Sequence, residues 1–174
     1  MVEPRARSFN SDRWLTDSRV YNLIWLGRWL ERAENVARVI NTFARSAMDN
    51  GEDIQALSAS LVNAARVRGI HVDEPDHSLS MLLKYHDPSS IYHSLATARN
   101  NATQVGTVEL IRAVSQALLE LDSAILPLES TEEVYRLTSN VLDGLREVYG
   151  VIESNWFHRE SLSEEEVYRR FVQQ

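Results

Sequence analysis

The sequence predicts an all-α protein, an antiparallel bundle of about five long helices with short extra helices. Two observations lead there. Apolar residues recur at alternating steps of three and four along most of the chain, which is the period of one helix face. The breakers are few, 6 Gly and 4 Pro in 174 residues, and most of them fall between the periodic stretches. No stretch shows the alternation of a strand, and short loops between long helices make neighbours antiparallel.

Met1 to Asp17 reads as an N-terminal arm, with Trp14 and Leu15 as its anchors, and 18–174 reads as one helical domain. Helix one is expected from about Ser18 to Ala47, capped by Asp17 or Ser18 and stopped by Asn50-Gly51. Its stripe is Leu23, Leu26, Leu30, Ala33, Ala37, Ile40 and Ala44. Helix two, about Asp53 to Val67, sets Ile54, Leu57, Leu61, Ala64 and Ala65 on one face, and Gly69 ends it. His71 to Pro75 reads as a loop, followed by a short helix over about His77 to Tyr85 that Asp87-Pro88 closes.

Helix four runs from Ser90 to Val105 on Ile91, Leu95, Ala98, Ala102 and Val105, with Gly106 at its C-terminus. Thr107 caps helix five, whose stripe is Val108, Ile111, Val114, Leu118, Leu121 and Ile125, and Pro127 stops it. Helix six opens on a capping box, Ser130 to Glu133, and carries Val134, Leu137, Val141, Leu145, Val148 and Ile152. A second box, Ser163 to Glu166, predicts a separate short C-terminal helix.

Composition narrows the function classes. The chain is long enough to bury a core without metal or disulfide staples. It contains no cysteine, which removes disulfides, thiolate zinc sites and thiol nucleophiles, and fits a reducing cytoplasm. No apolar run has the length of a membrane span, and Met1–Asp17 lacks the apolar stretch of a signal peptide, so the expected location is cytoplasmic. A net charge of −7 argues against general affinity for nucleic acid or anionic membranes. Lys84 is the only lysine; the remaining cations are arginines, whose planar forks suit carboxylate or phosphate.

Catalytic and cofactor patterns are absent from the sequence. A di-iron bundle needs two inward Glu-x-x-His pairs, and the only such spacing, Glu74-Pro75-Asp76-His77, contains a proline and falls in a loop. His71, His77, His86, His93 and His158 are scattered, with no two at metal-ligand spacing on one helix, and His93 reads as a satisfied interior or boundary histidine of helix four. There is no phosphate-binding glycine loop and no nucleophile elbow. The expectation is a binding or accessory module with no metal and no cofactor.

Helix one is the unusual element. At ~100° per residue, Gly27, Arg28, Glu31, Glu34, Asn35 and Arg38 fall within ~60° of Glu31. The rest of the circumference is apolar, with Trp25, Trp29, Val36 and Phe43 on the flank opposite the leucine–alanine stripe. That pattern predicts a charged seam enclosed by protein, with Arg28–Glu31 and Glu34–Arg38 as neighbour pairs. The alternative is a solvated face of surface ion pairs. Gly27 costs the helix ~1 kcal/mol where no turn is wanted, which makes sense if a backbone or ligand approaches closely there.

The run Asn22-Leu23-Ile24-Trp25-Leu26-Gly27-Arg28-Trp29-Leu30-Glu31-Arg32-Ala33-Glu34-Asn35-Val36-Ala37-Arg38 closely resembles the signature of the bacterial alpha-E family. Pro88-Ser89-Ser90-Ile91, with Ser94-Leu95 and Ala98-Arg99-Asn100-Asn101-Ala102, looks like that family's second, looser motif. Together the two motifs span residues 18 to 106. The resemblance implies a helical fold and a gene context: family members occur beside, or fused to, circularly permuted ATP-grasp ligases that make or modify peptides by amide bond formation. The family's Glu-x-x-Arg theme maps onto Glu31 and Glu34 with Arg28 and Arg38. Two features depart from it. Asn100, Thr103 and Gly106 replace charged residues of the second motif, and the Gly-Arg-x-x-Glu-Arg-Ala theme, usually present twice, occurs once here. Trp156 and Phe157 stand where a second copy would begin.

The expected function is therefore an accessory module of an ATP-grasp amide-ligation system. Arg28, Glu31, Glu34, Asn35 and Arg38 would bind a peptide, an amino acid or the ligase itself. Arginine forks suit a carboxylate and glutamates an amine. Two alternatives stay open: a structural or oligomerisation protein whose seam fixes helix register, and an enzyme with Glu31 as general base and Arg28 or Arg38 stabilising an oxyanion. A chain with one copy of the theme is expected to be a homodimer, two copies of helix one meeting across a two-fold axis and covering Trp25 or Trp29.

Overall fold

The computed structural model describes residues 17–67, 75–84 and 88–172, with side chains described for 18–67, 79–84 and 88–154. Residues 1–16 of the expected arm, 71–74 of the expected loop and the side chains of Trp156 and Phe157 lie outside these. The described residues form six helices and no strand: α1 (Asp17–Asn50), α2 (Ile54–Val67), α3 (Pro75–Leu83), α4 (Ile91–Val105), α5 (Val108–Ser123) and α6 (Thr131–Val172). Asp17, expected to end the arm, is instead the first residue of α1. Pro75, whose missing N–H is tolerated in a first turn, opens α3, so Pro75–His77 is helical rather than loop.

The ends of these helices are set by local chemistry. At the end of α1, Gly51 takes φ +67°, a conformation glycine adopts without strain. The Glu52 N–H then donates to Ala47 O and the Gly51 N–H to Met48 O, which satisfies two carbonyls of the last turn. Asp53 starts α2 by accepting from the Ala56 N–H at 2.9 Å. Ser90 and Thr107 do the same for α4 and α5, accepting from the backbone N–H of His93 and Leu110. Ser130 accepts from the Glu133 N–H, and the Glu133 carboxylate reaches back to the Glu129 N–H at 2.9 Å.

Four helices make the core. α1 packs on α4 and α6, and α5 packs on the same two, so α1, α4, α5 and α6 close a ring. Every neighbour in the ring is antiparallel. Arg19 reaches Val105 while Trp29 meets His93, so α4 descends as α1 rises. Asn41 meets Thr138 and Glu34 meets Tyr149, so α6 descends too. Asn140 bonds Glu120 and Gly144 touches Ala117 across α5 and α6. This is the up-down-up-down four-helix arrangement. α2 and α3 pack as a pair beside it, α2 on α1 and α3 on α4. Lys84, just past α3, ties that pair to the bundle by donating to Asp122 O and Ala124 O at the end of α5.

The apolar stripes face the ring interior as the periodicity predicts, with particular exceptions. Leu26, Leu30, Ala33, Ala37, Ile40 and Ala44 are buried, but Leu23 is 37% exposed. All five stripe residues of α4 are buried. On α5 the buried face is Leu110, Val114, Ala117, Leu118 and Leu121, while Val108 is exposed and Ile125 lies beyond the helix end. The expected separate C-terminal helix is instead the end of a 42-residue α6. No proline or glycine follows Gly150, so a capping serine alone does not interrupt the helix. Among the described residues, no helix is long and apolar enough to cross a membrane, and no three His, Asp or Glu side chains converge as a metal site.

One polar cluster sits inside the ring. The Asn41 amide nitrogen lies within hydrogen-bonding distance of Tyr135 O, Thr138 Oγ1 and Ser139 Oγ, at 2.9–3.2 Å. Thr138 is fully buried and itself donates to Val134 O at 2.8 Å. These bonds fix the level of α1 against α6, as buried polar groups with full partners can.

Candidate functional site

All five predicted site residues stand on α1, but its neighbours divide them. Gly27, Arg28, Glu31, Asn35 and Arg38 are exposed and only Glu34 is half-buried, so the chain does not enclose the strip it was expected to enclose. The reason is the ring itself: α4 and α6 pack on the side of α1 that carries Leu26, Leu30, Ala33, Ala37, Ile40 and Ala44, and the strip faces outward from it. A Cβ on Gly27 would meet nothing within 4 Å, so no backbone among the described residues approaches there. Arg28 and Glu31 do not pair; the ion pairs among the described residues are Arg38–Glu34 and Arg146–Asp143.

Toward α4 the strip becomes a ladder of rings and cations. Tyr21, Trp25 and Trp29 follow each other at four-residue spacing, with ring centroids 5.9 and 6.1 Å apart. Trp29 ends the ladder edge-on against His93 of α4 at 5.6 Å, and His93 is half-buried, the boundary one of its two expected positions. The Arg28 guanidinium lies over the Trp25 ring and the Arg32 guanidinium over the Trp29 ring, each at 5.7 Å. Both pairs repeat one spacing, Trp-x-x-Arg, because residues three apart on a helix are neighbours. The interaction uses the face of each cation and leaves its N–H groups to other partners. Neither guanidinium has a hydrogen bond or ion pair among the described residues. Beside them runs an open groove of about 480 Å³, lined by Trp25, Arg28, Trp29, Glu31, Arg32, Asn35 and Val36. It offers two oriented forks, a carboxylate, an amide and two indoles.

Toward α6 the strip is a structural contact. Glu34 accepts from Arg38 Nε and Nη2 at 2.9 and 2.6 Å, and from the Tyr149 hydroxyl of α6 at 2.9 Å. Burial alone would raise the Glu34 carboxyl, but the hydrogen bonds from Arg38 and Tyr149 outweigh it and hold the group below its ordinary range. Burial first, and then the bond to Glu34, raise the Tyr149 phenol above its usual value, so it stays a donor. A carboxyl lowered in the fold contributes stability above its unfolded value, near 4.5, and loses it as pH falls through the folded value. Glu34→Gln should therefore flatten the acid limb of the stability curve below about pH 4.5. Urea unfolding of both proteins at neutral pH and at about pH 3 measures this, and parallel acid losses would refute it.

Of the five candidate residues, Arg28, Glu31 and Asn35 share the groove, and Glu34 and Arg38 do not. Trp25, Trp29 and Val36, expected as an apolar flank, line it as well, together with Arg32, and Tyr149 joins Glu34 from α6. The repeated Trp-x-x-Arg is the sequence signal for Arg32 with the two tryptophans, while Tyr149 is 115 residues from Glu34 and no local spacing points to it.

No curated protein and no solved structure matches the chain. A family model does, over residues 18–163: Alpha-E, described as a predicted alpha-helical domain with a conserved ER motif. The chain holds one Glu-Arg dipeptide, Glu31-Arg32, and both residues line the groove. The match spans α1, α2, α3, α4, α5 and most of α6, and the chain belongs to the Alpha-E family.

Proposed function

We propose that this protein is an accessory module of an ATP-grasp amide-ligation system, and that its α1 groove holds a carboxylate-bearing partner. The ligand would be a peptide end, an amino acid or an acidic segment of the ligase. The observation that carries this reading is the pair of guanidiniums seated over Trp25 and Trp29, whose N–H groups have no partner among the described residues. Arg28 and Arg32 stand one turn apart, so they can grip one carboxylate together or two along a peptide. The indoles add apolar area for a side chain next to the charge. Glu31 and Asn35, on the same groove, suit an amine or an amide N–H. The ligase as partner rests on the resemblance of residues 22 to 38 to a family found beside such enzymes.

For Glu34 and Arg38 the Tyr149 contact favours the register-fixing role, so the ligand-binding proposal moves to Arg28, Glu31, Arg32 and Asn35. The general-base reading of Glu31 gains no adjacent nucleophile from this arrangement.

The test uses a short peptide with a free C-terminal carboxylate and the same peptide amidated, titrated against tryptophan fluorescence. The free acid should bind and perturb the Trp25 and Trp29 emission, with the amide at least ~10-fold weaker, a difference of ~1.4 kcal/mol. Arg32→Met keeps the aliphatic stem and should lose a similar factor. Equal binding of acid and amide, or full affinity in Arg32→Met, would refute carboxylate recognition.

A further inference from the structure

Gly27 has no packing reason among the described residues, and the helix face around it is self-complementary. Of the described helical glycines, Gly144 is required by the close approach of Ala117, whereas a Cβ on Gly27 or Gly150 would meet open space, and only Gly27 lies among exposed apolar side chains of α1. The outer face of α1 also leaves large apolar groups in water: Tyr21 is 60% exposed, Ile24 54%, Val20 38% and Val39 37%. Between them lie Arg28 and Glu31, both exposed and not paired with each other.

We infer that this face binds a second copy of the chain, two α1 helices packing antiparallel about a two-fold axis that passes between residues 29 and 30. A two-fold contact must bring each residue against its complement on the other copy. With the axis at that level, Arg28 of one copy lies level with Glu31 of the other, and the same pair forms again by symmetry. Two reciprocal ion pairs thus arise from one Arg and one Glu three residues apart. The overlap spans residues 20 to 39 and includes every exposed large apolar side chain of α1 except Met48. Gly27 stands ~40° from Glu31 around the helix and just beside the axis, where helices crossing at the short end of the usual ~8–10 Å separation need a missing side chain.

Charge complementarity is what selects a second copy as the occupant. An acidic partner would match Arg28 but repel Glu31, and a basic one the reverse, whereas the face itself matches both. The contact draws on the Arg28 N–H edge and the Glu31 carboxylate that also line the groove, so a second copy and a ligand compete for them, while Arg32, ~100° from Glu31, stays at the margin of the contact.

Sedimentation velocity of the full chain at micromolar concentration tests this, with circular dichroism confirming that each variant is folded. The wild type should sediment at twice the mass of the chain, and weaken with added salt. R28E and E31R should each raise the dissociation constant at least ~10-fold, since each sets like charges face to face twice. The double variant R28E/E31R reverses both pairs and should restore the dimer. Gly27→Leu should give a folded monomer, and R32M a dimer. A monomeric wild type would overturn the inference, as would single swaps that remain dimeric or a double swap that does not recover. Because the readout is mass rather than ligand-induced fluorescence, failure here is distinct from failure of the carboxylate groove.

Discussion

Leu30→Ala is expected to lose ~2–5 kcal/mol of stability, and Glu31→Gln next to it less than ~0.5 kcal/mol. Leu30 is fully buried at the centre of the ring, between the helices that flank α1. Removing its branched end leaves a void that four long packed helices cannot close by a small shift, because each is held at several levels by its neighbours. Glu31 points ~100° away, into water, and has no ion pair to lose among the described residues. Chemical denaturation of the two variants measures the contrast. Comparable losses would mean that Glu31 is held by contacts that the α1 face does not make in a single chain. Its binding consequences run the other way: Glu31→Gln should change the groove and the dimer contact while the fold stays intact.

The fold was legible because its information is local. Three-four spacing, Gly51, Ser90, Thr107 and the Ser130–Glu133 box each act within a turn or two, and each does so where the spacing puts it. Where the reading failed, a longer-range fact decided. Ser163 has the sequence of a helix start, but the preceding helix had no reason to stop. Gly106 was expected simply to end α4. It does, at φ −87° rather than in the left-handed region, and is needed because a Cβ would lie 2.7 Å from Ala102 O.

The site was half legible for the same reason. The α1 sequence shows which residues share a direction, but not which direction is covered. Periodicity placed Arg28, Glu31, Glu34, Asn35 and Arg38 on one strip, and that much is geometry of a single helix. Enclosure depends on α4 and α6, whose packing leaves the strip outward and pulls only Glu34 against Tyr149. The groove emerges at the border between the strip and the tryptophan flank, where a division into polar and apolar faces puts Arg32 on neither side. Reading the cations against the rings three residues before them, rather than against the acids, recovers it.

Gly144→Val and Gly150→Ala should move stability in opposite directions, although the two glycines are six residues apart on one helix. At Gly144 a Cβ would already lie 3.0 Å from the Ala117 Cβ and 3.2 Å from its Cα. Backbone lies directly behind that contact, so the obstruction cannot rotate away as a long side chain would. Valine adds two methyls to it, and α5 and α6 must separate along a seam that Val114, Ala117, Leu121, Val141, Leu145 and Val148 fill. Overpacking of this kind costs ~1–3 kcal/mol or more, and the β-branched side chain adds its own helix penalty. At Gly150 a Cβ meets nothing within 4 Å and the residue is exposed, so alanine should add ~0.5–1 kcal/mol from backbone entropy and helix propensity. Thermal denaturation of both variants, with tryptophan fluorescence as the probe, reads the two signs. A Gly144→Val protein as stable as wild type would show that α5 and α6 are not in close contact at Ala117, and the ring of four helices would have to be redrawn at that edge.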